Sequence, residues 1–161
     1  MADKTIWRNV ATLVRRAPWL VQTGRVFWRI HQPRFTAGVV GVVFNQDEQI
    51  LLVEHVFHPH RPWGLPGGWI ERREDPATAV ARELLEELEL TVEIGPLLLA
   101  ELGYGNHLDL AYMCEIKGEI GTLSSELLDY RWINPLDLPR LHNFHYNAIQ
   151  QALTIRNGME L

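Results

Sequence analysis

The stretch at residues 63–90, WGLPGGWIERREDPATAVARELLEELEL, constrains the fold more than any other part of the chain. It reads as a strand, a diglycine turn and a helix with acidic residues crowded near its end. Asp75 is placed to cap that helix, and Pro76 suits its first position, where a missing N–H forfeits no hydrogen bond. Ala77, Val80, Ala81, Leu84, Leu85 and Leu88 recur at steps of three and four, an apolar stripe that predicts packing on a sheet. Glu83, Glu86 and Glu87 stand at i, i+3 and i+4, so their carboxylates are expected to project together, away from the stripe.

A solvated acidic face is the ordinary explanation of such a cluster. Beside a partly buried turn the energetics change. Two carboxylates ~5 Å apart at an effective dielectric of ~20 repel by about 3 kcal/mol, and a divalent cation between them relieves that repulsion. Oxygen-only ligands favour Mg²⁺ or Mn²⁺ over zinc. Gly67-Gly68, without a Cβ, lets backbone oxygens approach closely.

Gly68, five residues, Glu74, seven residues, Arg82-Glu83-Leu84, one residue, Glu86-Glu87, one residue, Glu89-Leu90: this spacing resembles the Nudix box. The one departure is Glu89, where that family carries glycine. Because a non-glycine residue in the left-handed conformation costs on the order of 1–2 kcal/mol, the helix is expected to end differently, running on by about half a turn. The resemblance covers residues 36–140 and implies an α/β fold, a Nudix-type α/β/α sandwich with a mixed sheet. The residues alone indicate a mixed α/β domain. It further implies Glu83, Glu86 and Glu87 as metal ligands assisted by the Gly67 carbonyl, with Mg²⁺ or Mn²⁺ as the cofactor. Glu83 or a later loop residue, Glu126, would activate water, and Glu74 with Arg82 would tie turn to helix. The implied reaction is hydrolysis of a nucleoside diphosphate linked to X, giving a nucleotide and X-phosphate. A nucleoside triphosphate is favoured over a nucleotide-sugar. The alternative is a non-catalytic Nudix-fold module that binds or senses nucleotides.

Composition fits this reading: 47% hydrophobic and 22% charged residues exclude disordered and fibrous classes. The single cysteine, Cys114, rules out an internal disulfide and reads as a small buried residue on a strand. No apolar run is long enough for a membrane span and no signal peptide is recognisable, so a cytoplasmic protein is expected. Charge is uneven. Residues 1–36 hold seven basic residues against Asp3, a net of +6, which leaves −11 for the rest of a chain totalling −5. An acidic body suits an anionic nucleotide-type substrate only with a cation present.

The basic segment, residues 1–35, predicts a helical extension before a domain at 36–161. Residues 3–17 form an amphipathic helix with Ile6, Val10, Leu13, Val14 and Ala17 on one side, closed by Pro18, and residues 19–30 a second, aromatic-rich one. This extension is expected to pack on the domain or across a homodimer interface, with membrane-surface or nucleic-acid binding as lesser alternatives. Strands are predicted at 36–44, 49–57, 92–102 (interrupted by Gly95-Pro96) and 107–117, and a closing helix at 143–156 with Phe144, Ala148, Ile149, Ala152 and Ile155 inward. His55, His58 and His60 precede the box in a loop with Pro59 and Pro62. No fourth ligand is placed for zinc, so His58, His60 and Trp63 are candidate substrate contacts, with solvent exposure or packing as the plainer roles.

Overall fold

The computed structural model describes residues 4–16, 18–58 and 60–158. Asp3, Ala17 and Pro59, and the side chains of Val10 and Leu13, lie outside the described residues. The chain divides into two compact units, Met1–Arg34 and Phe35–Leu161. The first holds helices α1 (Lys4–Arg16) and α2 (Pro18–His31). Pro18 therefore opens the second helix as well as following the first, in keeping with its preset φ. Among the described residues no helix is long and apolar enough to cross a membrane.

The second unit is built on a seven-stranded mixed sheet. Its strands are β1 (Thr36–Phe44), β2 (Ile50–His55), β3 (Trp63–Gly64), β4 (Gly67–Trp69), β5 (Val92–Leu102), β6 (His107–Ile116) and β7 (Leu127–Ile133). The path runs β3-β2-β1-β6-β5, with β4 added to β1 and β7 to β2. β1 and β6 are parallel, in register from Thr36 opposite His107 to Phe44 opposite Glu115; the remaining pairs are antiparallel. Gly95-Pro96 does not break β5, which absorbs the two residues as register shifts against β6. β2 ends at His55, two residues short of the predicted stop, where a β-bulge sits in its pairing with β7.

Period-two alternation explains why β1 and β2 read as unbroken apolar runs: both faces of the sheet are covered. Val39, Val43, Leu51 and Val53 pack with Val80, Leu84 and Leu88 of helix α3 (Pro76–Leu88). Val42, Phe44, Ile50 and Leu52 pack on the other side with Ala148, Ile149 and Ala152 of helix α4 (Asn143–Arg156). The result is the expected α/β/α sandwich with a mixed sheet. Cys114 lies within the α3-side core, where burial pushes its thiol up to about 12. Two assignments within the helices need correction. Leu85, counted in the stripe, is 53% exposed, and Ala79 is buried instead. Ile155 is likewise exposed, in the last turn of α4.

Candidate active site

The site is made where β4, α3 and the loop before β7 meet. The Asp75 side chain accepts from the Ala77 N–H at 3.0 Å and starts α3 immediately after the turn. Backbone lies against Gly67 and the Glu83 side chain against Gly68. Gly67 has φ 147°, and a Cβ there would stand 2.7 Å from the Val40 Cα across the β1–β4 ladder. A Cβ on Gly68 would lie 2.5 Å from the Glu83 carboxyl carbon. The diglycine thus lets β4 press onto β1 while Glu83 tucks beneath it.

Arg82 organises the outer side of this corner. Its Nε and Nη2 donate to the two oxygens of Glu74 at 2.8 and 3.0 Å, and Nη2 also donates to the Trp69 carbonyl at 3.0 Å. Nη1 donates to Glu83 at 2.9 Å and Glu86 at 3.1 Å. Glu74 also accepts from the Glu71 N–H at 2.8 Å; held mainly by Arg82, its pKa falls to about 2. The guanidinium is in turn pushed further toward its charged form, chiefly by Glu74. These bonds join turn to helix as the resemblance implies.

The three box glutamates do not share one solvated face. Glu86 is exposed and bound to Arg82, whereas Glu87 is only 7% exposed and accepts from the Gly67 N–H at 3.1 Å. Adjacent residues on a helix point about 100° apart, so i+3 and i+4 separate once one of them turns inward. Burial pushes Glu87 up to about 7, with Glu83, Glu126 and Glu86 adding repulsion and the Gly67 N–H opposing the shift. Glu83 is also raised, first by burial, against the pull of Arg82.

Glu126 reaches this corner because its loop is laced to the end of α3. The Gly121 N–H donates to Leu88 O at 2.9 Å, Ser124 N–H to Glu87 O at 2.9 Å, and Thr122 N–H to the Glu89 carboxylate at 3.1 Å. That last bond bears on the departure from the box. The helix does not run on: Glu89 adopts φ 49°, ψ 29° and caps α3 in the left-handed conformation otherwise suited to glycine. Its side chain, bonded to Thr122, offsets part of the strain.

Glu87, Glu126, Gly67 and Gly68 line a cavity of about 440 Å³. His107 and Asp109, which the sequence reading missed, also line it, with the His107 ring 4.8 Å from that of Trp69. His107 Nε2 lies 3.2 Å from Asp109 Oδ1, and its Nδ1 lies 2.8 Å from Thr36 Oγ1. Their i, i+2 spacing on a predicted strand was the available signal. A second cavity, of about 450 Å³, adjoins the first and contains all three candidate substrate contacts, His58, His60 and Trp63. His145, also missed, lines both. Arg131 covers the Trp63 ring at 4.3 Å.

Among the described residues no three His, Cys, Asp or Glu side chains stand as a finished metal cage. Arg82 holds Glu83 and Glu86, and the Gly67 N–H holds one oxygen of Glu87. The donor chemistry nonetheless fits a hard divalent cation: carboxylates and a backbone carbonyl, with a buried glutamate that resists ionising while no positive charge is near.

The NUDIX domain family matches residues 34–152. The chain belongs to this family. Its members include hydrolases acting on pyrophosphate bonds, and Nudix hydrolases generally require a divalent metal. A MutT-like protein of Streptomyces ambofaciens is 33% identical over 107 residues, covering 64% of this chain and 66% of the relative. The chain thus spans just under two thirds of that relative's length. A protein of Bacillus subtilis (strain 168) named putative 8-oxo-dGTP diphosphatase is 30% identical over 109 residues, covering 65% of this chain and 70% of its own. The crystal structure of a MutT NUDIX hydrolase from Burkholderia pseudomallei superposes with TM-score 0.64 and 26% identity, covering 74% of this chain and 98% of that one.

Proposed function

We propose that this protein is a metal-dependent pyrophosphohydrolase that cleaves the phosphoanhydride of a nucleoside diphosphate linked to X, with a nucleoside triphosphate as the favoured substrate. The observation that carries the reading is Glu87: a nearly buried carboxylate at the cavity wall, raised to about 7, with Glu83 and Glu126 as its acidic neighbours. A Nudix box supplies the family reaction, and the name of the Bacillus relative supports a nucleoside triphosphate over a nucleotide-sugar.

Glu83, Glu86, Glu87 and the Gly67 carbonyl would hold the ion, Mg²⁺ or Mn²⁺. Once bound, such an ion neutralises the anhydride oxygens and lowers the pKa of a coordinated water. The chain's own groups do the rest. Arg82 positions Glu83 and Glu86 through its two short bonds and keeps Glu74 ionised beside the turn. Glu126 is the better candidate than Glu83 to accept the proton of the attacking water. It lines the cavity, and among the described residues no hydrogen bond engages its carboxylate, whereas Glu83 is bound by Arg82.

The test is incubation with a nucleotide panel and Mg²⁺ or Mn²⁺, following products by phosphorus NMR. Metal-dependent release of a nucleotide and X-phosphate is expected. Nucleotides bound but left intact with either ion would make the protein a binding module instead.

A further inference from the structure

The two cavities differ in charge. The first carries the carboxylates of Glu87, Asp109 and Glu126 beside the imidazoles of His55, His58, His107 and His145. The second has no acidic side chain among its described lining residues; its walls are four imidazoles, the Phe57 and Trp63 rings, Arg61 and Gly64. Phe57, His58 and His145 line both cavities, so a ligand can lie across the threshold between them.

Two of the imidazoles have fixed orientation. His145 Nδ1 accepts from the Leu65 N–H at 3.1 Å, and His142 Nδ1, at the N-cap of α4, accepts from the Phe144 N–H at 3.4 Å. A nitrogen that accepts from an amide carries no proton, so each ring holds a hydrogen on Nε2 and can donate it. Gly64 lets one of them sit close, because a Cβ there would lie 2.9 Å from His145 Cε1. At about 450 Å³ the cavity is within the range of small-ligand sites, roughly 300–1,000 Å³.

We infer that this second cavity is the base pocket: it receives the nucleobase of the substrate by a carbonyl-bearing edge, against ring walls and the Nε2–H of His145, while the anhydride lies among the carboxylates next door. The inference rests on the nucleotide reading above. The most buried imidazole, that of His145, is held neutral, its pKa lowered to about 4 mainly by burial and then by the nearby histidines, which leaves Arg61 as the fixed cation among the described lining residues. A planar neutral group with acceptors on its rim matches both the stacking surfaces and the fixed donors.

The test uses the full chain without added metal, titrated with guanosine, uridine and adenosine by ligand-observed NMR while the His145 ring signals are followed. Guanosine or uridine should bind more tightly than adenosine and shift the His145 resonances. Replacing His145→Phe should weaken binding about fivefold or more, as should His58→Ala, which alters an exposed side chain and leaves the core intact. Absence of nucleoside binding overturns the inference, as does binding indifferent to both variants or tightest for adenosine. Hydrolysis is read separately: a chain that cleaves nucleotides with Mg²⁺ yet ignores free nucleosides keeps the hydrolase assignment and loses the pocket. A chain that binds them through His145 but cleaves nothing keeps the pocket and loses the hydrolase.

Discussion

Glu87 and His145 face neighbouring parts of one cleft, and burial acts on them with opposite sign. The acid is pushed up to about 7 and the imidazole down to about 4, so each wall favours its neutral form. The difference lies in what surrounds them. Glu87 has Glu83, Glu126 and Glu86 for neighbours, a field that only an added positive charge relieves. His145 has other imidazoles and a backbone donor, a setting complete without an ion. One wall is poised to bind a cation and the other to read a neutral group.

The sharpest way to break this contrast is Glu87→Gln. The amide oxygen can still accept from the Gly67 N–H, so the fold is expected to hold while one ion-binding charge disappears. Turnover should fall about a hundredfold or more, beyond the ~10–100-fold typical of groups behind the ligands. Steady-state kinetics with thermal melts as a folding control measures it. Loss of Arg82 comes next. Arg82→Ala frees Glu74 and leaves the half-buried Glu83 without its partner, which should destabilise by roughly 1–2 kcal/mol after allowance for partial exposure, and lower turnover as well. Denaturant unfolding reads the first effect. Arg82→Lys should not rescue it, since an ammonium cannot bridge both Glu74 oxygens and Glu83 in one plane.

Acidity separates the two walls. In the metal-free protein Glu87 holds its proton between pH 4.5 and about 7 while the unfolded chain has lost it, so its contribution to stability falls as pH rises through that window. His145 runs the other way. Between about 4 and 6.5 the unfolded chain binds the proton and the folded one does not, so its contribution is lost as pH falls. The two slopes oppose each other between 4.5 and 6.5, so Glu87→Gln should make stability fall more steeply on acidification there in melts taken across pH, with His145 and the likewise lowered His55 on that limb. The same proton appears in metal binding. Near pH 6, Mg²⁺ should displace about one proton more from the wild-type chain than from Glu87→Gln, by calorimetry in buffers of different ionisation enthalpy.

The acidic wall was largely legible in the sequence and the imidazole wall only in part, since His58, His60 and Trp63 were singled out there and His142 and His145 were not. Spacing along one helix announces Glu83, Glu86 and Glu87, and the diglycine beside them announces a close approach. What spacing alone could not supply was the inward turn of Glu87, which depends on the Gly67 N–H presented by a short strand paired to β1. His145 stands 80 residues from the Leu65 N–H that orients it. Such a pair exists only once α4 has packed on the sheet, and no local pattern encodes it. His107 and Asp109 fall between these cases: their alternation was visible, but the pairing of β1 with both β4 and β6, which brings His107 beside Trp69, required the fold. The residues alone indicated a mixed α/β domain and the resemblance supplied the sandwich, whose two cores divide the odd and even positions of β1 and β2.

The smallest effect tests the one departure from the box. Glu89→Gly should relieve left-handed strain of on the order of 1–2 kcal/mol while removing the bond to the Thr122 N–H, worth about 1 kcal/mol. The two nearly cancel, so net stability should move by less than about 1 kcal/mol in denaturant unfolding. The informative readout is the loop. Glu89 ties the Gly121–Thr122 segment to α3, and that segment carries Glu126 toward the cavity, so amide exchange in residues 121–126 should quicken even where global stability is unchanged. Activity should then fall with kcat rather than KM, because the residue set adrift is the one assigned to the water. Unchanged exchange in that segment would mean that the Gly121 and Ser124 bonds hold the loop by themselves, and that Glu89 is merely tolerated at its cap.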